Sequence, residues 1–127
     1  LPMVCYEAIF PHEARVPDQP RPDWIVGVTN DAWFGTSAGP HQHLAQMRFR
    51  AIEQGLPVAR AANTGISALI GPHGDIQQSL PIGQAGYLEG TLPAALAQPA
   101  YARTGDLPGI LLLLSISAGL LVIRSRI

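Results

Sequence analysis

The sequence predicts an α/β domain followed by one helix of membrane-spanning length. Three observations carry this reading. Short apolar, β-branched runs recur through residues 1–106. A single long stretch with a 3.6-residue apolar period sits among them. The segment from Leu107 to Ile123 then holds no charged residue at all. The bulk composition agrees: 47% of the 127 residues are hydrophobic and only 13% are charged, where a soluble domain carries roughly 25%. Intrinsic disorder is excluded, because it needs low hydrophobicity and high charge. A net charge of −1 with no basic run leaves nothing to neutralise a phosphate backbone, so no nucleic-acid partner is expected. One cysteine excludes a disulfide scaffold and any multi-cysteine metal site.

The elements follow in order. Leu1 to Cys5 is a short apolar run and reads as a strand. Pro11 suits the first turn of a helix that His12 to Arg15 continue, since its missing N–H costs nothing there. Val16 to Pro22 holds three prolines and is a loop. Trp24 to Thr29 is a buried strand, followed by a polar and aromatic loop from Asn30 to Pro40. A helix runs from about His41 to Gln54, with Leu44, Met47, Ala51 and Ile52 on one face. Gly55 stops it and Pro57 forbids continuation. Val58–Ala62 and Ile66–Ile70 are strands, Gly71 to Asp75 is a hairpin turn, and Ile76–Leu80 and Tyr87–Leu92 complete the strands.

The last segment is the sharpest change in composition. Its seventeen residues, bounded by Asp106 and Arg124, span roughly 26 Å as a helix, near the short limit for crossing a bilayer. The alternative is a core helix of a soluble protein. No polar face can be drawn on it, which favours the membrane. Arg124 and Arg126 after the span favour a cytoplasmic tail at 124–127, with residues 1–106 on the extracytoplasmic side.

Cys5 ends an apolar strand, where open α/β sheets place their chemistry. It is a candidate nucleophile, or else a small buried hydrophobe. Thiolate chemistry needs a base or a positive partner. His12, His41, His43 and His73 are the only histidines, and each reads as a surface or turn residue, because none has a spacing that marks a base. Glu7 could reach the same pocket, or act as a helix N-terminal acid favoured by the dipole. Trp33 and Phe34 follow a buried strand, so they share the sheet edge with Cys5. Two aromatics there line a pocket, touch lipid, or plug the sheet end.

Several segments together resemble the nitrilase (carbon–nitrogen hydrolase) superfamily. They are Cys5-Tyr6-Glu7, Asn30-Asp31-Ala32-Trp33-Phe34-Gly35, Gly39-Pro40-His41-Gln42-His43, Arg48-Phe49-Arg50-Ala51-Ile52-Glu53, and Arg60-Ala61-Ala62-Asn63-Thr64-Gly65-Ile66-Ser67. Tyr101 to Asp106, leading into the apolar segment, is similar to the exit from the catalytic domain in that superfamily's membrane acyltransferase branch. The resemblance covers essentially the whole chain, and the motifs arrive in the right order.

The resemblance implies an α-β-β-α sandwich, here partial, and a Glu–Lys–Cys triad whose cysteine is Cys5. It makes Glu7 an additional glutamate needed by the acyltransferases and Tyr6 the neighbour of the nucleophile, with a main-chain N–H near Tyr6 helping to hold the oxyanion. It assigns Trp33 and Phe34 to contact with lipid or acyl chain. The Cys5 thiolate would take an acyl chain from a phospholipid and pass it to the amine of a diacylglyceryl-cysteine on an apolipoprotein. The place implied is the bacterial inner membrane, with the catalytic domain on the periplasmic side. No metal or organic cofactor is implied. The triad Glu and Lys lie upstream of the cysteine in the family, and the chain has no lysine: all eight basic residues are Arg. The chain is therefore expected to be the C-terminal part of a longer enzyme, to be inactive alone, and to present an open, incomplete sheet. Two other readings remain: a soluble amidase of the same superfamily, and a membrane-anchored module without activity.

Overall fold

The computed structural model describes residues 1–16 and 19–125. Pro17 and Asp18 of the expected proline-rich loop, and Arg126 and Ile127 of the expected tail, lie outside the described residues. Five strands form one sheet in sequence order: β1 (Pro2–Val4), β2 (Ile25–Asn30), β3 (Val58–Asn63), β4 (Ser67–Ile70) and β5 (Ile76–Leu80). The first three are parallel, while β4 and β5 turn back antiparallel. Parallel strands carry their carboxyl ends to the same edge. The residues after β1 and β2, Cys5 and Asp31, therefore start from one place, beside Asn63 at the end of β3.

Helix α1 (Gly39–Gln54) connects β2 to β3 and covers one face of the sheet. The row facing it is Met3, Gly27, Arg60 and Ala68, register partners across four strands and all buried. Gly27 lies against the end of the Met47 side chain of α1, and a Cβ there would force the Met47 methyl to shift. The helix buries Pro40, His43, Leu44, Met47, Arg50, Ala51 and Gln54, a stripe at the expected period. Its edge differs from the expected one. Ile52 is half-exposed, and His43 and Arg50 take inward positions, because each finds polar partners there. Gly55 ends the helix with φ 62° and its N–H on the carbonyls of Ala51 and Ile52, the left-handed stop that glycine favours.

The hairpin at Gly71–Asp75 forms as expected, closed by the Gly71 N–H on the Asp75 carbonyl at 2.8 Å. Two expectations are corrected. The stretch Tyr87–Leu92 is not a strand. Gly90 sits directly over Leu69 and Gln78 of β4 and β5, so this segment crosses the sheet face instead of extending its edge. The segment around Pro11 forms two 3₁₀ turns, Cys5–Ile9 and Pro11–Ala14, and no longer helix.

The described residues build one sheet with one helical layer, half of the expected sandwich. Among them neither β1 nor β5 has an outer neighbour, and Val4 and Val28, on the face away from α1, are half-exposed. The short helix α2 (Ala100–Thr104) leads to α3 (Leu107–Ser125). The Tyr101 hydroxyl donates to Asp106 at 2.9 Å, and an Arg15 guanidinium N–H donates to the Arg103 carbonyl at 3.0 Å, which fixes this exit. The eighteen residues Leu107–Arg124 are apolar enough to cross a membrane, and none of them is buried against the domain. At the helical rise they cover roughly 27 Å, close to a hydrocarbon core. Ser115 and Ser117 donate their hydroxyls to the carbonyls four residues back, at 2.8 Å each, so neither leaves a polar group unpaired in an apolar surround.

Candidate active site

Cys5 is the first residue beyond β1, and its φ of 50° is a left-handed conformation in a residue with a Cβ. Such a residue costs on the order of 1–3 kcal/mol and persists only where its surroundings hold it. Two side-chain contacts flank it. The Val4 N–H donates to the Glu7 carboxylate at 2.6 Å. On the other side the Cys5 carbonyl accepts from Nε2 of His43 at 3.1 Å.

His43 is almost fully buried. Its Nδ1 lies 2.8 Å from Oδ1 of Asp31, which also accepts the Thr29 hydroxyl at 3.0 Å. The other Asp31 oxygen accepts from Nη2 of Arg60 at 2.7 Å. Nε2 faces a carbonyl and therefore donates, whereas Nδ1 lies between the Asp31 carboxylate and, at 3.3 Å, Nη2 of Arg60. Asp31 has no exposed surface and Arg60 is 3% exposed, so the pair is shielded from solvent. Burial pushes the Arg60 pKa below the usual arginine value, and the adjacent Asp31 carboxylate pulls it back up. Gly65 makes room for this pair, since a Cβ there would run into the Asp31 carboxylate.

Beside this cluster opens a cavity of about 600 Å³, within the range that holds small ligands. Cys5, Tyr6, Ile9, Trp33, Phe34 and His43 line it. Asn30 caps the 3₁₀ turn Asp31–Phe34 by accepting the Ala32 N–H at 3.2 Å. That turn sets both aromatics at the cavity. Phe34 meets the His43 ring edge-on, with centroids 5.9 Å apart. Trp33 is 86% exposed, so it closes no sheet end.

Four of the expected site residues, Cys5, Tyr6, Trp33 and Phe34, thus share one cavity. Glu7 does not line it, and its carboxylate is committed to the Val4 N–H. The reading of His43 as a surface histidine is corrected: α1 turns it inward, where it meets Asp31 after β2, Arg60 of β3 and the Cys5 carbonyl after β1. His12, His41 and His73 are exposed. Among the described residues no cluster of three or more His, Cys, Asp or Glu side chains could hold a metal ion.

The site is thus a cysteine at the carboxyl end of the first parallel strand of a five-stranded mixed sheet. Residues 2–102 match the carbon–nitrogen hydrolase family, and the chain belongs to it. Its relatives narrow the branch. The chain is 52% identical over 99% of its length to the apolipoprotein N-acyltransferase of Rhodopseudomonas palustris, and 54% identical over its full length to that of Bradyrhizobium diazoefficiens. It is 42% identical over 99% of its length to that of Brucella suis. In each case the match covers 23 to 24% of the relative, so the chain spans about a quarter of the length of these curated proteins.

Proposed function

We propose that this chain forms part of an N-acyltransferase. That enzyme would move a fatty acyl chain from a phospholipid to the N-terminal amine of a diacylglyceryl-cysteine on an apolipoprotein, through a thioester on Cys5. The observation that carries the reading is Cys5 itself, held at φ 50° on an apolar, aromatic-lined cavity. The relatives' names support the reaction.

In the first step the Cys5 thiolate attacks the ester carbonyl of the phospholipid. A C–S bond forms, the ester C–O bond breaks, and the lysophospholipid leaves with a proton. In the second step the acceptor amine attacks the thioester. A C–N bond forms, the C–S bond breaks, the amine gives up a proton, and the thiolate returns. Two moderate barriers replace one high one. The 3₁₀ turn that begins at Cys5 leaves its first main-chain N–H groups without partners in the turn, and these suit the oxyanion of each tetrahedral intermediate. The proton acceptor and the lysine, by family resemblance a Glu and a Lys, are not supplied by these 127 residues, which contain no lysine. A polypeptide of these residues alone is accordingly expected to give no turnover. The setting proposed is the bacterial inner membrane, with α3 crossing it and the domain on the periplasmic side.

The thioester is tested on the whole enzyme. A phospholipid bearing an alkyne-tagged acyl chain is supplied without acceptor, and the protein is digested. A hydroxylamine-labile tag on the peptide containing Cys5 is expected, and a tag on another side chain that spares Cys5 overturns the proposal. The reading of a soluble amidase makes a different forecast for α3. Protein bearing this helix is expected to stay in the membrane pellet through alkaline carbonate extraction, and its release would favour the amidase.

Trp33 supplies a further check. Its side chain is exposed, so Trp33→Ala is expected to change stability by no more than about 0.5 kcal/mol. The KM for phospholipid is expected to rise several-fold. A large fall in melting temperature with unaltered kinetics would assign Trp33 to folding.

A further inference from the structure

Cys5, His43 and Asp31 are the three residue types of a cysteine–histidine–carboxylate catalytic set, yet their geometry is different. Nε2 of His43 addresses the Cys5 main-chain carbonyl. The ring is held from behind by Asp31, and Asp31 is anchored in turn by Arg60 and Thr29. Both ring nitrogens are engaged, Nε2 by the Cys5 carbonyl and Nδ1 by Asp31 and Arg60. What it controls is the peptide unit that leaves Cys5, and with it the left-handed conformation of that residue. We infer that His43 is a positioning residue, which holds the Cys5 carbonyl and so keeps the nucleophile's backbone in the conformation that presents it to the cavity. Arg60, Asp31 and His43 form a buried brace running from the middle of β3 to the nucleophile. The inference rests on Cys5 being the acyl carrier.

Two substitutions separate this role from a catalytic or a merely structural one. A glutamine amide places its N–H near the position of Nε2, whereas an asparagine amide places its N–H near Nδ1. His43→Gln therefore retains the bond to the Cys5 carbonyl, and His43→Asn retains the bond to Asp31. In the whole enzyme, His43→Asn is expected to lower kcat about 100-fold, the scale of an ångström-sized misplacement, with KM unchanged. His43→Gln is expected to stay within about tenfold of the parent on the same argument. The pH midpoint for alkylation of Cys5 by iodoacetamide is expected to be the same in the parent and both variants, because the ring faces the carbonyl and not the sulfur.

Equal loss in both variants, together with a displaced alkylation midpoint, would make His43 a proton-transfer partner of the thiol and overturn the inference. Equal loss matched by a fall in melting temperature would make it structural and also overturn it. Should His43→Asn fail to fold, His43→Gln decides alone: kcat near the parent value sustains the inference, and a hundredfold loss removes it. Failure of the underlying reading is distinct, since the parent enzyme would then carry no acyl label on Cys5 at all.

Discussion

Cys5→Ala in the whole enzyme is expected to abolish acyl transfer, with a loss on the order of 10⁶-fold, as for other enzymes deprived of their covalent nucleophile. Stability is expected to change by less than about 1 kcal/mol. The two expectations come from different features of the same residue. Cys5 is partly exposed at the cavity, outside the buried core, so the lost sulfur leaves no closed void. Alanine carries the same Cβ as cysteine, and the strain of φ 50° is neither relieved nor increased. Cys5→Ser keeps the shape but substitutes a hydroxyl that ionises far less readily, and it is expected to be equally inactive. Mass analysis of an acceptor lipopeptide reads the transfer directly. Activity within tenfold of the parent in either variant would remove Cys5 from the mechanism.

The sequence places this cysteine for a physical reason. A short apolar run that ends in a polar turn is legible as a strand terminus, and parallel strands bring their termini together. The same logic brings Trp33 and Phe34 to Cys5, because both follow a strand of the same direction. The helix was legible through its apolar period and its Gly55 stop. What stayed hidden are features that depend on partners distant in the chain. His43 looked like one of four unremarkable histidines, since nothing local announces that Asp31 and Arg60 wait where α1 turns it. One signal was available. Arg60 stands two residues after Val58, so strand alternation places both on one face, and a buried arginine requires a carboxylate. The failure at Tyr87–Leu92 has the opposite cause. Apolar content permits a strand, but Gly90 interrupts the segment between Gly86 and Pro93, and the open face of β4 and β5 offers it a surface to cross.

Asp31→Ala is expected to be among the most destabilising single changes in the domain, at about 3–5 kcal/mol. The substitution strands the Arg60 guanidinium, 3% exposed, without its counter-charge, and it removes the acceptor of Thr29 and a partner of His43. Domains of this kind have about 5–15 kcal/mol in all, so the loss takes a large share. Arg60→Met is expected to cost a similar amount for the converse reason, because it leaves a carboxylate with no exposed surface. The double variant Asp31→Ala with Arg60→Met removes both charges of the buried pair. It is expected to be more stable than either single variant, as when apolar groups replace other buried ion pairs. Chemical denaturation of the four proteins closes the cycle, and costs that simply add would place the effect in packing instead of charge. Activity then separates the pair's two roles. The double variant regains stability but leaves His43 unbraced against the Cys5 carbonyl, so it is expected to fold and still be slow, with kcat lowered and KM kept. A double variant that recovered both stability and kcat would mean that the left-handed backbone of Cys5 is maintained without the brace.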